Sequence, residues 1–192
     1  MMKKYYITIF VFSFILMTCT NQYDNELTII NSNFHIENDI TNFCNKMTIH
    51  DTVFILADLS VCMGRTKYYN TLTKTGDTIY IETMAIDKTE NNNITINFGK
   101  TIYNTIKNDS LNLEDLICYI QKYNDSVQDK HYPTLQITHK HDTLYYKLNS
   151  VMDILRFTNY YISIMRLLYP NREQEYPPEM QYPGIIIITE NM

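Results

Sequence analysis

Tryptophan is absent from this chain of 192 residues, and glycine occurs only four times, proline five times and cysteine four. So few glycines leave no glycine-rich loop that could cradle a phosphate, and neither the P-loop pattern nor the dinucleotide-binding fingerprint occurs. No serine stands in a Gly-x-Ser-x-Gly elbow, and there is no His-Glu-x-x-His. The cysteines include no Cys-x-x-Cys, which argues against a dithiol redox motif and a zinc ribbon. Cations are outnumbered too: 16 Lys and Arg against 21 Asp and Glu give a formal net charge of -5. A nucleic-acid partner needs a basic footprint that such a chain does not supply, and no basic cluster for anionic lipid stands out in the sequence.

Long apolar runs are scarce as well, and the first of them is at the N-terminus. Lys3 and Lys4 precede an apolar stretch from Ile7 to Met17 broken only by Thr8 and Ser13, and the chain then turns polar at Thr20 to Glu26. At about 1.5 Å per residue the stretch spans roughly 17 to 20 Å, well short of a hydrocarbon core of about 30 Å. The order basic, apolar, polar reads instead as a secretory signal over residues 1 to 18. The residues that close it, Leu16-Met17-Thr18-Cys19, resemble the lipobox of bacterial lipoproteins. The resemblance covers the leader alone, and Thr18 stands where that family usually has a small residue. It implies that Cys19 is lipidated and becomes the first residue of the mature chain, held on a membrane of the cell envelope, periplasmic or surface-facing. Losing residues 1 to 18 removes Lys3 and Lys4 and no acid, so the formal charge goes from -5 to -7.

Residues 19 to 33 then read as a polar tether. Residues 34 to 192 are enough for a single α+β domain with a real core, and 45% hydrophobic content favours folding over disorder. Apolar positions Phe34, Ile36, Ile40, Phe43, Cys44 and Met47 suggest a short helix, with a strand over residues 28 to 36 as the alternative. Thr52 to Leu59 has the β-branched and aromatic content of a strand. Lys67 to Thr73 and Thr78 to Met84 flank Gly76 as a hairpin, and Ile94 to Phe98 alternates with period two. Asn112 caps a predicted helix through Leu113, Leu116, Ile117 and Ile120. A second hairpin joins Thr134 to Thr138 with Thr143 to Leu148, and residues near it echo the first hairpin. The strongest helical pattern begins at Asn149 or Ser150, with Val151, Ile154, Leu155, Thr158, Tyr161, Ile162, Met165 and Leu168 on one face. Residues 170 to 183, with prolines, acids and tyrosines, read as an extended loop, and Gly184 to Ile188 as a buried C-terminal strand. The expected architecture is an antiparallel sheet with hairpins packed against two or three helices.

Chemistry is harder to find. His139 and His141 have spacing that could offer two imidazoles to one metal, but zinc needs a third protein ligand, and His35, His50 and His131 stand in no recognisable relation to the pair. The expectation is therefore no metal and no cofactor. With Cys19 acylated, Cys44, Cys62 and Cys118 remain, of which Cys44 and Cys62 make the preferred bridge if one forms. The 17 tyrosines could build a recognition surface, although Asn, Ile and Lys are enriched alongside them, as a compositional bias alone would give. The functional expectation is a non-catalytic, membrane-anchored protein-binding module of immunity, inhibitor or accessory-subunit type, with an envelope or secreted protein as partner. Its contacts are placed on Tyr169, Tyr176 and Tyr182. The alternative is small-ligand or glycan binding by a concave sheet lined by Tyr68, Tyr69, Tyr80 and Tyr145, and a hydrolase comes third.

Overall fold

The computed structural model describes residues 32–49, 51–60, 65–88, 93–103, 111–124 and 134–176. The leader, Cys19, the tether, Cys62, Tyr182 and the apolar run from Gly184 to Ile188 lie outside the described residues. Among the described residues, four helices and six strands follow one another as α1 (Ile36–Asp39), a 3-10 turn (Ile40–Asn42), α2 (Phe43–Lys46), β1 (Thr52–Asp58), β2 (Arg65–Thr75), β3 (Thr78–Lys88), β4 (Asn93–Ile102), α3 (Leu113–Tyr123), β5 (Leu135–His139), β6 (Asp142–Tyr146), α4 (Val151–Leu168) and a last 3-10 helix (Pro170–Glu175). The strands form one antiparallel sheet in the order β4-β3-β2-β1-β5-β6. The fold is α+β, as its pattern predicts. Residues 36 to 46 are helical in three short pieces, as the helical reading of this segment expects, while residues 28 to 31 of the alternative strand lie outside the described residues.

Both hairpins turn on two residues. In β2–β3 the pairing runs from Thr75↔Thr78 to Arg65↔Lys88, longer than the periodicity marks. Gly76 has φ 59, the left-handed value that matches a two-residue loop to the twist of its strands. In β5–β6, Lys140 does the same at φ 53. The expected four-residue tip, His139 to Asp142, is corrected accordingly: His139 and Asp142 already pair across the sheet.

Strand alternation divides the sheet into two unlike faces. One carries Val53, Ile55, Ala57, Tyr68, Leu72, Ile79, Ile81, Ala85, Leu135 and Ile137, all buried against the helices. In β4 the register shifts opposite Thr83 and Met84, and Gly99 takes φ 88. That bulge turns Phe98 into the core, where it meets Tyr68, Tyr169 and Tyr176.

Helix α3 starts where its cap is predicted: the Asn112 side chain accepts from the Asp115 backbone N–H at 2.8 Å, and Leu113, Leu116, Ile117 and Ile120 are buried. Helix α4 differs from its expected stripe. Val151 is 60% exposed, while Phe157 and Ile164, outside the stripe, are buried. The helix packs on the sheet through Tyr161 and also beside α3, so its buried arc is wider than a single seam. Residues 170 to 175 also depart from expectation, forming a 3-10 helix rather than an extended loop, with Pro170 at its first position.

Candidate functional site

The tyrosines expected to grip a partner are part of the core. Tyr169 and Tyr176 are 6% and 7% exposed. The Tyr169 hydroxyl lies within hydrogen-bonding distance of the carbonyls of Ile81 and Gly99 and of the Thr83 hydroxyl. The Tyr176 hydroxyl donates toward the carbonyls of Met165 and Tyr169, and its ring stacks on Phe98 at 5.6 Å. Burial pushes both phenols above the ordinary tyrosine pKa, so they stay neutral. Their role as exposed contacts is overturned, because the segment that carries them returns along β4 instead of projecting outward. Arg172 reinforces this by donating to the Asn97 carbonyl at 2.7 Å.

The two histidines do not converge on a metal. His141 is exposed in the turn, whereas His139 ends β5 and points inward, 3% exposed, with Phe34 edge-on at 4.9 Å. Its Nε2 meets Asp51 Oδ1 at 3.1 Å. The other Asp51 oxygen accepts from Ser32 Oγ, the Thr48 backbone N–H and Thr48 Oγ1 at 2.7, 2.7 and 2.8 Å. Burial alone would push the Asp51 carboxyl upward, but these hydrogen bonds outweigh it and hold it below the usual aspartate value. Serine, aspartate and histidine are thus adjacent, but in the wrong order for nucleophilic catalysis. A hydrolytic triad places the histidine between serine and carboxylate, where it can take the hydroxyl proton. Here the carboxylate occupies that place, and the cluster ties the segment before β1 to the end of β5. No group of three or more His, Cys, Asp or Glu side chains able to hold a metal occurs among the described residues.

Cys44 is half-buried and Cys118 exposed, and they are not joined to each other. The expected partner of Cys44, Cys62, is outside the described residues. Burial, then Asp115 and Glu114, push the Cys118 thiol upward, away from the reactive thiolate.

The opposite face of the sheet is a different surface. Thr52, Phe54, Leu56 and Asp58 of β1, Arg65, Lys67, Tyr69, Thr71 and Thr73 of β2, and Tyr80, Glu82, Met84, Ile86 and Lys88 of β3 share it by register, and none is buried. Gln136, Thr138 and Tyr145 extend it over β5 and β6. No helix among the described residues covers it. Phe54 is 51% exposed, and Tyr69, Met84, Ile102 and Tyr145 are each more than a third exposed. A lone exposed apolar side chain is ordinary, but several on one uncovered sheet face mark an interaction surface. Phe54, Leu56, Tyr69, Thr71, Gln136 and Thr138 border a shallow groove of about 190 Å³.

The concave tyrosine surface expected from sequence forms only in part. Tyr69, Tyr80 and Tyr145 share the open face, but Tyr68 is buried on the other, beneath Tyr161. Adjacent strand residues point to opposite faces, so Tyr68 and Tyr69 could not both line it. The groove is also smaller than the roughly 300 to 1,000 Å³ that ligand pockets occupy. Phe54, Leu56 and Met84 went unnoticed as surface residues because a strand pattern shows two faces without saying which one the helices cover. Comparison of the chain with known protein families, curated proteins and solved structures finds no match.

Proposed function

We propose that the protein is a membrane-anchored envelope lipoprotein whose open sheet face binds another protein without catalysis. The observation that carries the reading is that face: Phe54, Tyr69, Met84 and Tyr145 are exposed together on a scaffold whose opposite face buries Val53, Ile55, Ala57, Leu72 and Ile81 in the core. A flat surface with aromatic anchors suits a folded protein partner, because tyrosine and phenylalanine give large contact area while losing little rotamer freedom. The leader supports the envelope address, and immunity proteins, inhibitors and accessory subunits are the classes such a tethered module fits. The partner-contacting role assigned by sequence to Tyr169 and Tyr176 passes to Phe54 and Tyr69.

Two measurements on the native host test this. Intact mass of the membrane-fraction protein should give a chain beginning at Cys19 with added acyl mass, and an unmodified chain in the soluble fraction would overturn the anchor. Affinity purification of the wild type beside Phe54→Ser and Tyr69→Ser forms should show a co-purifying envelope or secreted protein that both variants lose while retaining wild-type circular dichroism. A partner retained in full by either variant would overturn the assignment of the face.

A further inference from the structure

The open face carries a charge arrangement that its own strands do not balance. Arg65 and Lys88 are direct cross-strand partners in the β2–β3 ladder, both exposed and both on this face. Like charges placed directly opposite destabilise a sheet. Lys67, two residues along the same face, adds a third cation and is paired with Asp58 at 2.9 Å. Among the described residues, no carboxylate is in salt-bridge contact with Arg65 or Lys88. Lys100 on β4 stands opposite Glu82 and over the Tyr80 ring at 4.7 Å. The strand residues of this face therefore present four cations and two carboxylates in a chain whose formal charge is -5. The cationic end adjoins the apolar centre, since Lys67 is next but one to Tyr69 and stands opposite Ile86.

Resting on the reading of this face as a protein-binding surface, we infer that its partner is a protein that sets carboxylates against Arg65, Lys67 and Lys88 beside an apolar patch seated on Phe54 and Tyr69. An acidic partner relieves the Arg65–Lys88 repulsion that the free protein carries, so one pair of side chains both disfavours the unbound state and selects the bound one. Charge complementarity also steers encounter and rejects partners of the same sign. Replacing either cation by glutamate converts the repulsive pair into an attractive one. It should therefore stabilise the free protein while weakening the complex, and a merely structural role for the pair predicts no such opposition.

The test begins with a photoreactive phenylalanine at position 69 of the full chain in its native host. The crosslinked protein is identified by mass and then purified for titration against wild type, Arg65→Glu, Lys88→Glu and Phe54→Ser. Expected are affinity losses of roughly tenfold or more for each glutamate variant, a weaker salt dependence than wild type, and a raised urea midpoint for the free variants. Unchanged affinity and salt dependence in both glutamate variants, with binding lost in Phe54→Ser, would overturn the acidic-partner inference and leave the face assignment standing. Full binding by Phe54→Ser would overturn both. Crosslinks of lipid mass alone would assign the face to a membrane surface and overturn the inference, as would a lowered urea midpoint in both glutamate variants.

Discussion

Two buried polar residues illustrate how context sets the value of a side chain. The Thr158 hydroxyl on α4 is buried and finds no hydrogen-bond partner among the described residues. An unsatisfied hydroxyl in a core costs desolvation with nothing to offset it, so Thr158→Val should stabilise the protein by about 1 kcal/mol. Urea unfolding measures this, and a destabilised variant would mean that the hydroxyl is in fact bonded. Asp51 is the opposite case, buried with four hydrogen-bonding contacts. Its folded pKa is depressed, so its contribution is complete above the unfolded value of about 3.9 and is lost as pH falls toward the lower folded value. Unfolding midpoints followed from neutral to acid pH should show that loss in wild type and a shallower acid limb in Asp51→Asn, which should be less stable at neutral pH. Thr48, three residues away, supplies half of the Asp51 contacts, but Ser32 and His139 stand 19 and 88 positions off and cannot be read from the local sequence.

At the scale of elements, local chemistry is far more legible. The cap at Asn112, the turn at Gly76 and the strand content of β1 are decided within a few residues, and sequence reading finds each of them. Where it fails, either a residue that does not favour its backbone conformation fills a turn or long-range packing has intervened. Lys140 occupies a left-handed position that favours glycine, so no residue type in this turn signals its two-residue length. Lys140→Gly should stabilise the hairpin by roughly 0.5 to 1 kcal/mol, less than the left-handed strain it relieves because glycine loses more entropy on folding. Thermal melting would register the gain. The segment after α4 read as a loop because prolines and acids dominate it, yet Tyr176 and Tyr169 anchor it beneath Phe98. Tyr176→Ala should therefore cost about 3 to 5 kcal/mol, the range for a large aromatic lost from a core. A cost below about 1 kcal/mol in urea titration would restore the segment to the surface.

Across the whole molecule the sheet behaves as a partition, and neighbouring residues on one strand should respond to mutation in opposite ways. Ile55 is 1% exposed and Phe54 51%. Ile55→Ala should cost roughly 2 to 5 kcal/mol of stability and leave the open face unaltered. Phe54→Ser should change stability by less than about 1 kcal/mol while removing a contact from the proposed interface. Stability and partner binding measured on the two variants together separate core from surface, and equal losses of stability would show that the open face is covered.

The sequence alone determined the α+β class, the helix cap, the hairpins and the strand periodicity, because each follows from backbone preferences and side-chain spacing over a few residues. The proposed envelope signal over residues 1 to 18 likewise rests on sequence alone, on the order of its basic, apolar and polar residues. Only the tertiary structure decided which sheet face the helices cover, which tyrosines are buried, and that Arg65 and Lys88 stand side by side. A period of two tells a strand that it has two faces. Which one meets water depends on where distant helices pack, and which residues become neighbours depends on a register set over the length of the ladder.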